Sequence, residues 1–311
     1  MAEKFLVTGG AGFIGSHIVI HLVAQGAQVR VVDNLSTGNE NRLSSVRQSI
    51  EFINGDLADA KTCDEAVRGM HYVFHQAAIP SVQRSIRDPI ASHRANITAT
   101  LNLLDSSRKA GIHRLVYAAS SSAYGDTKVL PKNEEMPANP LSPYALQKFV
   151  GEGYCKLYND LFGLETVALR YFNVFGPSQD PHSEYSAVIP KFISRLIAGE
   201  PLTVFGDGQQ SRDFTYVENV VAANLLAVKA KSAAGTVFNV GCGARYSLNE
   251  LIERLEKILG VSARVDYLPR RDGDVRDSLA DIEKARGILG YEPKVSFEQG
   301  LVFTADAFRS T

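Results

Sequence analysis

Phe5-Leu6-Val7-Thr8-Gly9-Gly10-Ala11-Gly12-Phe13-Ile14-Gly15 decides the fold. An apolar run of strand length breaks into glycines spaced GxxGxxG, and an amphipathic helix with Ile18, Leu22 and Val23 on one face begins at once. The first glycine permits a tight turn, the second lets backbone approach a pyrophosphate, and the third lets helix and strand pack closely, with phosphates against the helix N-terminus. Alone, the triplet is also compatible with a plain strand-to-helix turn. Asp33 narrows the choice: it ends the second strand 18 residues after Gly15, where a carboxylate accepts from adenosine ribose hydroxyls and repels a 2′-phosphate. Asn34-Leu35-Ser36-Thr37-Gly38 brings no Arg or Lys to hold such a phosphate, so NAD is favoured over NADP. Candidate cofactor contacts here are Gly9, Gly12, Phe13, Ile14, Gly15, Asp33, Asn34, Ser36, Thr37 and Gly38.

Outward from that turn, apolar strand-length runs alternate with amphipathic helix-length stretches. The strands expected are Phe5 to Thr8, Gln28 to Asp33, Glu51 to Asn54, Tyr72 to His75, Leu115 to Ala119 and Thr166 to Tyr171. This pattern predicts an α/β fold: six strands in a doubly wound parallel Rossmann sheet, whose ligands sit at the carboxyl ends of the strands. Asp56 with Leu57 follows the third strand, where the carboxylate could take the adenine amino group or simply cap the next helix. Gln76-Ala77-Ala78 follows the fourth and offers small residues where a cofactor backbone would pass, or only close packing.

Beyond Asn173 the rhythm loosens. A Pro- and Gly-punctuated stretch, Gly176 to Pro181, leads to a helix near Ala187 to Ala198, short strands at Thr203 to Phe205 and Thr236 to Val240, and helices near Leu248 to Leu259 and Phe297 to Phe308. The expected organisation is a cofactor domain over 1–173 and a smaller mixed α/β substrate region over 174–311, with the chain free to cross between them.

Composition excludes several classes. Lys plus Arg number 33 and Asp plus Glu 34 in 311 residues, so no net charge draws the chain to nucleic acid or a membrane surface. Cys63, Cys155 and Cys242 are odd in number and lack CxxC spacing, which argues against a disulfide framework or a metal site. Met1 to Lys4 lacks a signal-peptide layout and no apolar run nears the ~20 residues that span a bilayer, so a cytoplasmic location is expected.

Ser142-Pro143-Tyr144-Ala145-Leu146-Gln147-Lys148 opens a helix: Ser is a good N-cap, Pro suits the first turn, and four-residue spacing sets Tyr144 and Lys148 on one face. A phenol with pKa near ~10 is a poor base unless positive charge favours the phenolate. A nearby ammonium and a nicotinamide ring supply that charge, and the phenolate could then take a hydroxyl proton as hydride leaves the same carbon. Ala118 to Gly125 ends the fifth strand in Ser120-Ser121-Ser122, hydroxyls able to hold a substrate oxygen. An isolated YxxxK is usually a surface pair; its order after the glycine turn and the serine-ended strand argues for chemistry.

Together these motifs resemble the extended short-chain dehydrogenase/reductase family, and within it the UDP-hexose 4-epimerases. The likeness runs through Thr8 to Gly15, Asp33 to Gly38, His75 to Ala78, the serines, Tyr144 to Lys148, Arg170-Tyr171-Phe172-Asn173, Gly206-Asp207-Gly208 and Arg212-Asp213-Phe214. The resemblance implies that Tyr144 deprotonates the sugar 4-hydroxyl while C4 gives hydride to tightly held NAD, leaving a 4-keto sugar that turns over and takes the hydride back. Lys148 would hold the nicotinamide ribose; Ser120, with Ser121 close in register, would hold the reacting oxygen. Asn96 is placed near the nicotinamide end, and Tyr171, Phe172 and Val174 along the cofactor. Ser81, Asn173, Val188, Thr203, Val204, Phe205, Arg212, Arg271, Asp274 and Ser278 are placed around the UDP-sugar. Arginine forks suit phosphate oxygens, although surface ion pairs are arginine's commoner fate. A homodimer through helices near Ile90 to Lys109 and Tyr144 to Leu161 is implied too.

Dehydratases of this kind carry an Asp-Glu pair after the catalytic hydroxyl, and decarboxylases a Glu at the position of Ser122; here Ser121 and Ser122 stand there. Plain C4 epimerisation needs neither carboxylate. Galactose-selective members carry Tyr where Ser278 falls, and a small residue there would admit a 2-N-acetyl group. The resemblance thus inclines toward UDP-GlcNAc/UDP-GalNAc, with UDP-Glc/UDP-Gal accepted. UDP-glucuronate stays open through Arg84 or Arg87, as do a dehydratase or reductase of the same family. An idle dinucleotide-binding protein should have lost Tyr144 or Lys148.

Overall fold

The computed structural model describes residues 3–181, 187–270 and 275–309. Its sheet strands are β1 (Lys4–Thr8), β2 (Gln28–Asp33), β3 (Ile50–Asn54), β4 (Tyr72–His75), β5 (Arg114–Ser120) and β6 (Glu165–Tyr171), all parallel to their neighbours. The order is β3-β2-β1-β4-β5-β6, so the strand order reverses between β1 and β4 beside the glycine turn. The expected six strands form, and a seventh joins them. Thr236–Val240, read from sequence as part of the smaller region, pairs parallel with β6 from Thr236↔Val167 to Val240↔Tyr171. Burial explains it: Phe238 and Val240 are fully enclosed, and the strand satisfies the edge of β6.

Alternation along the strands divides the core. From β1, Phe5 and Val7 face Ile18, Leu22, Val220 and Ala227 on one side, whereas Leu6 faces Cys63, Leu103 and Cys155 on the other. The helices Phe13–Ala24 and Val217–Lys229 cover the first face; Ala60–Val67, Ala99–Lys109 and Pro143–Phe162 cover the second. A third core joins Phe192, Leu202, Phe214, Leu255 and Leu301 under the helices Val188–Ile197, Leu248–Leu259 and Phe297–Arg309. Leu248–Leu259 begins at a Ser247/Glu250 capping box and ends at a left-handed Gly260.

The expected helix from Ile90 to Lys109 is subdivided: Pro89–His93, a π turn at Arg94–Thr98, then Ala99–Lys109. The π turn carries Asn96, in keeping with the tendency of such turns to sit at functional sites. Among the described residues no helix is long and apolar enough to cross a membrane.

Candidate active site

The glycine turn is dictated by space. A Cβ on Gly15 would stand 2.2 Å from the Gly9 carbonyl oxygen, and one on Gly9, at φ +64°, would stand 2.6 Å from the Ala77 amide. The turn therefore lies against the backbone after β4, as the GxxGxxG spacing requires. Gly12 caps the helix Phe13–Ala24 with no side chain on its first-turn amides, which leaves them to an anion. Phe13 and Ile14 are half-buried against the third core.

Asp33 is buried at the end of β2; its carboxylate accepts from Ala11 N at 3.0 Å and Leu35 N at 2.8 Å. Burial lifts its pKa above the usual range. Each oxygen has lone pairs left for ribose hydroxyls. Asn34, Ser36, Thr37 and Gly38 form the adjoining lip, where Asn34 Oδ1 accepts from Ser36 N at 3.0 Å. Arg42, four residues beyond the stretch read for basic groups, is nearby, but its Nε and Nη1 are committed to the carbonyls of Ser178 and Ala11. Asp56 does not cap the next helix, because Asp59 does; Asp56 instead turns the chain through Ala58 N at 2.9 Å. Leu57 is buried beside it. The uncapped amides, the backbone cradle and the carboxylate fit a dinucleotide with a free 2′-hydroxyl.

Three strand ends meet on the other side of the switch point. Ser120 ends β5 in register with Tyr171 at the end of β6, and the Tyr171 hydroxyl shares hydrogen bonds with Gln76 and Asn224. Ala77 N donates to Thr8 Oγ1 at 3.3 Å; Ala78 follows it. His75 is locked between Thr8 and Thr100, and burial drives its pKa down to about 3, so it is neutral. Phe172 is core, and the half-buried Val174 continues into the two-residue strand Val174–Phe175.

The helix Pro143–Phe162 is capped as its sequence suggests: Ser142 accepts from Ala145 N, Pro143 fills the first position, and Gly163 closes it in the left-handed region. It lies hard on β5, where a Cβ on Gly151 would stand 2.2 Å from the Tyr117 hydroxyl. Tyr144 is half-buried, with its phenol beside the Ser120 side chain. Ser122 donates to Ser120 Oγ from both its amide, at 3.2 Å, and its hydroxyl, at 2.8 Å. Ser121 opens the short helical turn Ser121–Tyr124 and is half-buried. Burial raises the Tyr144 phenol and outweighs the opposing effect of Ser120, so the protein groups alone keep it protonated. Lys148 is buried; its Nζ donates to Ala118 O at 2.7 Å, and burial brings its pKa down to about 8. Behind it Glu152 and Arg170 form a buried ion pair, with Nη2–Oε2 at 2.7 Å.

Two ties to this helix were not read from sequence. Tyr144 N donates to Ser85 Oγ at 3.0 Å, from a short helix, Val82–Arg87, that Ser81 caps. Gln147 Oε1 accepts from Ser92 and from Asn96, whose Oδ1 holds Ile79 N at 2.8 Å. Gln147 lies inside the Tyr-to-Lys spacing and could have been marked as an inward polar residue; Ser85 gave no local signal.

On the substrate side Asn173, at φ +30°, donates to Asp213 O at 3.1 Å and to the buried Ser278 Oγ at 3.0 Å. Asp213 accepts from Cys242 N, Gly243 N and Ala280 N, binding these segments together. Arg212 Nη1 donates to the carbonyls of Ser211 and Arg276. Val188 begins its helix, Thr203 Oγ1 accepts from Arg195, and Phe205 is half-buried. Val204 is fully enclosed in the core, so its backbone alone is left for a ligand. Arg271 and Asp274 lie outside the described residues.

A family model described as NAD dependent epimerase/dehydratase family matches residues 5–241. The chain belongs to that family. A UDP-glucose 4-epimerase of Mycolicibacterium smegmatis is 38% identical over 311 residues, covering 99% of both chains. A UDP-glucose 4-epimerase of Thermotoga maritima, solved with UDP-glucose, matches at TM-score 0.94 and 40% identity over 99% of each chain. A UDP-N-acetylglucosamine 4-epimerase of Methanobrevibacter ruminantium, solved with UDP-N-acetylmuramic acid, matches at TM-score 0.95 and 40% identity, over 100% of this chain and 99% of that one. Family membership agrees with the short-chain dehydrogenase reading of the motifs and with NAD as cofactor.

Proposed function

We propose that this chain is a UDP-sugar 4-epimerase with tightly held NAD. It inverts C4 through a 4-keto sugar and prefers UDP-GlcNAc/UDP-GalNAc, with UDP-Glc/UDP-Gal accepted. One observation carries the reading: the Tyr144 phenol stands beside Ser120 at the carboxyl end of β5, Lys148 is buried one turn on, and serines stand at 121 and 122. That constellation moves a proton at a carbinol oxygen and has no carboxylate for eliminating water.

Bound NAD supplies the hydride acceptor and a positive charge. Tyr144 takes the 4-hydroxyl proton and returns it, Ser120 holds the same oxygen with Ser121 close by, and Lys148, its Nζ on Ala118 O, holds the nicotinamide ribose and tunes Tyr144. The first-turn amides, Asp33 and the lip from Asn34 to Gly38 hold the dinucleotide, with Gln76, Ala77, Ala78, Asn96, Tyr171, Phe172 and Val174 toward its reactive end. Asn173, Val188, Thr203 to Phe205, Arg212, Arg271 and Asp274 take the nucleotide diphosphate; Ser81 and Ser278 adjoin the sugar. The small Ser278 supports the N-acetyl preference.

The same reading makes the protein a cytoplasmic homodimer. Leu146, Leu157 and Leu161 lie exposed at helical spacing along Pro143–Phe162, and Ile90 is 81% exposed on the neighbouring helix, an apolar stripe suited to a second copy. Light scattering should give twice the chain mass, and a monomer at micromolar concentration would refute it.

The deciding experiment incubates purified protein, with no cofactor added, with UDP-GlcNAc, UDP-Glc and UDP-glucuronate separately, and follows products by proton NMR. A 4-epimer is expected, fastest from UDP-GlcNAc. Fastest turnover of UDP-glucuronate would reassign the sugar. Loss of water or carbon dioxide would overturn the reaction.

A further inference from the structure

The segment that leaves β6 passes from the strand end at Tyr171 to the helix that follows the glycine turn. It starts at Tyr171, tied to Gln76 and in register with Ser120, and continues through Val174–Phe175. At Gly176 its backbone packs tightly on Val217, where a Cβ would stand 2.6 Å away, and passes beside the Phe13 ring in the first turn of the helix Phe13–Ala24, 3.5 Å from such a Cβ. Two side chains from the cofactor side then fasten it. His17, whose ring meets Phe13 edge-on at 5.8 Å, has Nε2 3.1 Å from Pro177 O. Arg42 donates from Nε to Ser178 O at 2.9 Å and from Nη1 to Ala11 O at 3.2 Å, so one guanidinium joins the segment to the glycine turn. Asp33 and Asp180 add electrostatic attraction to Arg42, and Gln179 Nε2 closes the segment on Val174 O at 3.2 Å.

We propose that Arg42, with His17 as a second fastening, latches the Gly176–Gln179 segment beside the dinucleotide groove and sets the rate at which NAD leaves. The inference rests on the NAD reading above. An enzyme that returns its hydride in the same turnover has no use for cofactor exchange, so a latch holding one wall of the groove to its floor suits that chemistry. The guanidinium fork is well shaped for two carbonyls, whereas an ammonium holds its donors on a single point. Hydrogen bonds from a charged donor are about twice as strong as neutral ones, so Arg42 should dominate over His17.

The test loads wild type, Arg42→Ala, Arg42→Lys and His17→Gln with radiolabelled NAD, removes the excess, and chases with unlabelled NAD while retained label is counted. Melting temperatures of the cofactor-free proteins are measured in parallel. Arg42→Ala should release label at least about tenfold faster than wild type, with Arg42→Lys intermediate and His17→Gln least affected. Release within about twofold of wild type in Arg42→Ala would overturn the latch, as would faster release that merely tracks a fall in melting temperature across the cofactor-free series. If Arg42→Ala does not fold, Arg42→Lys and His17→Gln must both release faster than wild type for the latch to stand. A wild type that loses its label at once would refute tight NAD retention itself, and the latch with it.

Discussion

The cofactor side and the sugar side of this site are built on opposite principles. Around Gly9 and Gly15 the surface offered to a ligand is backbone, held where it is because any Cβ would strike another backbone atom at 2.2 to 2.6 Å. Around Asn173 the wall is held by side chains: Asn173 Nδ2 donates to Asp213 O and to Ser278 Oγ and so joins segments distant in the chain. A steric cradle accepts no substitution, whereas a hydrogen-bonded wall can be retuned one residue at a time. The glycine turn should therefore bind its dinucleotide or lose it, with no intermediate setting, whereas the sugar side is adjustable.

The largest effect should come from Gly15→Ala. With no room for the new methyl, we expect protein that purifies without NAD and melts about 5 °C or more below wild type; stoichiometric NAD in that variant would break the contrast. Next is Tyr144→Phe, which keeps the cofactor but removes the proton carrier, so kcat should fall about 10²- to 10⁴-fold. Near wild-type turnover would remove Tyr144 from the chemistry.

A smaller effect concerns Lys148, whose ammonium burial has brought to about 8. It is protonated below that pH and neutral above it, so kcat/KM should fall as pH rises through this range. In Lys148→Arg, which stays charged, the alkaline limb should move up by about one pH unit or more, even if the plateau is lower. An unmoved limb in kcat/KM against pH would assign it to another group. Smallest is Ser278→Tyr, which sharpens the comparison from the sugar side: KM for UDP-GlcNAc should rise about tenfold relative to UDP-Glc, with bound NAD unchanged. Equal shifts for both sugars would show that Ser278 does not sense the 2-substituent.

The same contrast explains what was legible in the sequence. Glycine spacing, Asp33 after β2 and the Ser142–Pro143 helix start are local signals, because the groups that act are neighbours in the chain and their physics is complete within a turn or two. The tie from Ser85 to Tyr144 spans 59 residues and leaves no trace in either local pattern. Val204 shows the complementary limit: motif likeness marks a position but not which of its atoms is offered, and the alternation of the strand turns its side chain into the core and leaves the backbone. The fall of Lys148 and the rise of Tyr144 in pKa have the same origin, since burial is a property of the assembled fold and not of the four-residue spacing.

The strand Thr236–Val240 constrains how this protein can be cut or recombined. It covers the edge of β6, Asn239 receives the Tyr124 hydroxyl at 2.7 Å, and Val240 O takes the Phe172 amide at 3.0 Å. A fragment ending at residue 173 would bare a row of unpaired β6 backbone groups and leave two residues beside the reactive end without their supports. Sugar preference therefore cannot be exchanged with a relative by trading everything after Asn173. A functional chimera has to keep the helix Val217–Lys229 and its following strand with the cofactor half, and graft only the pieces on either side.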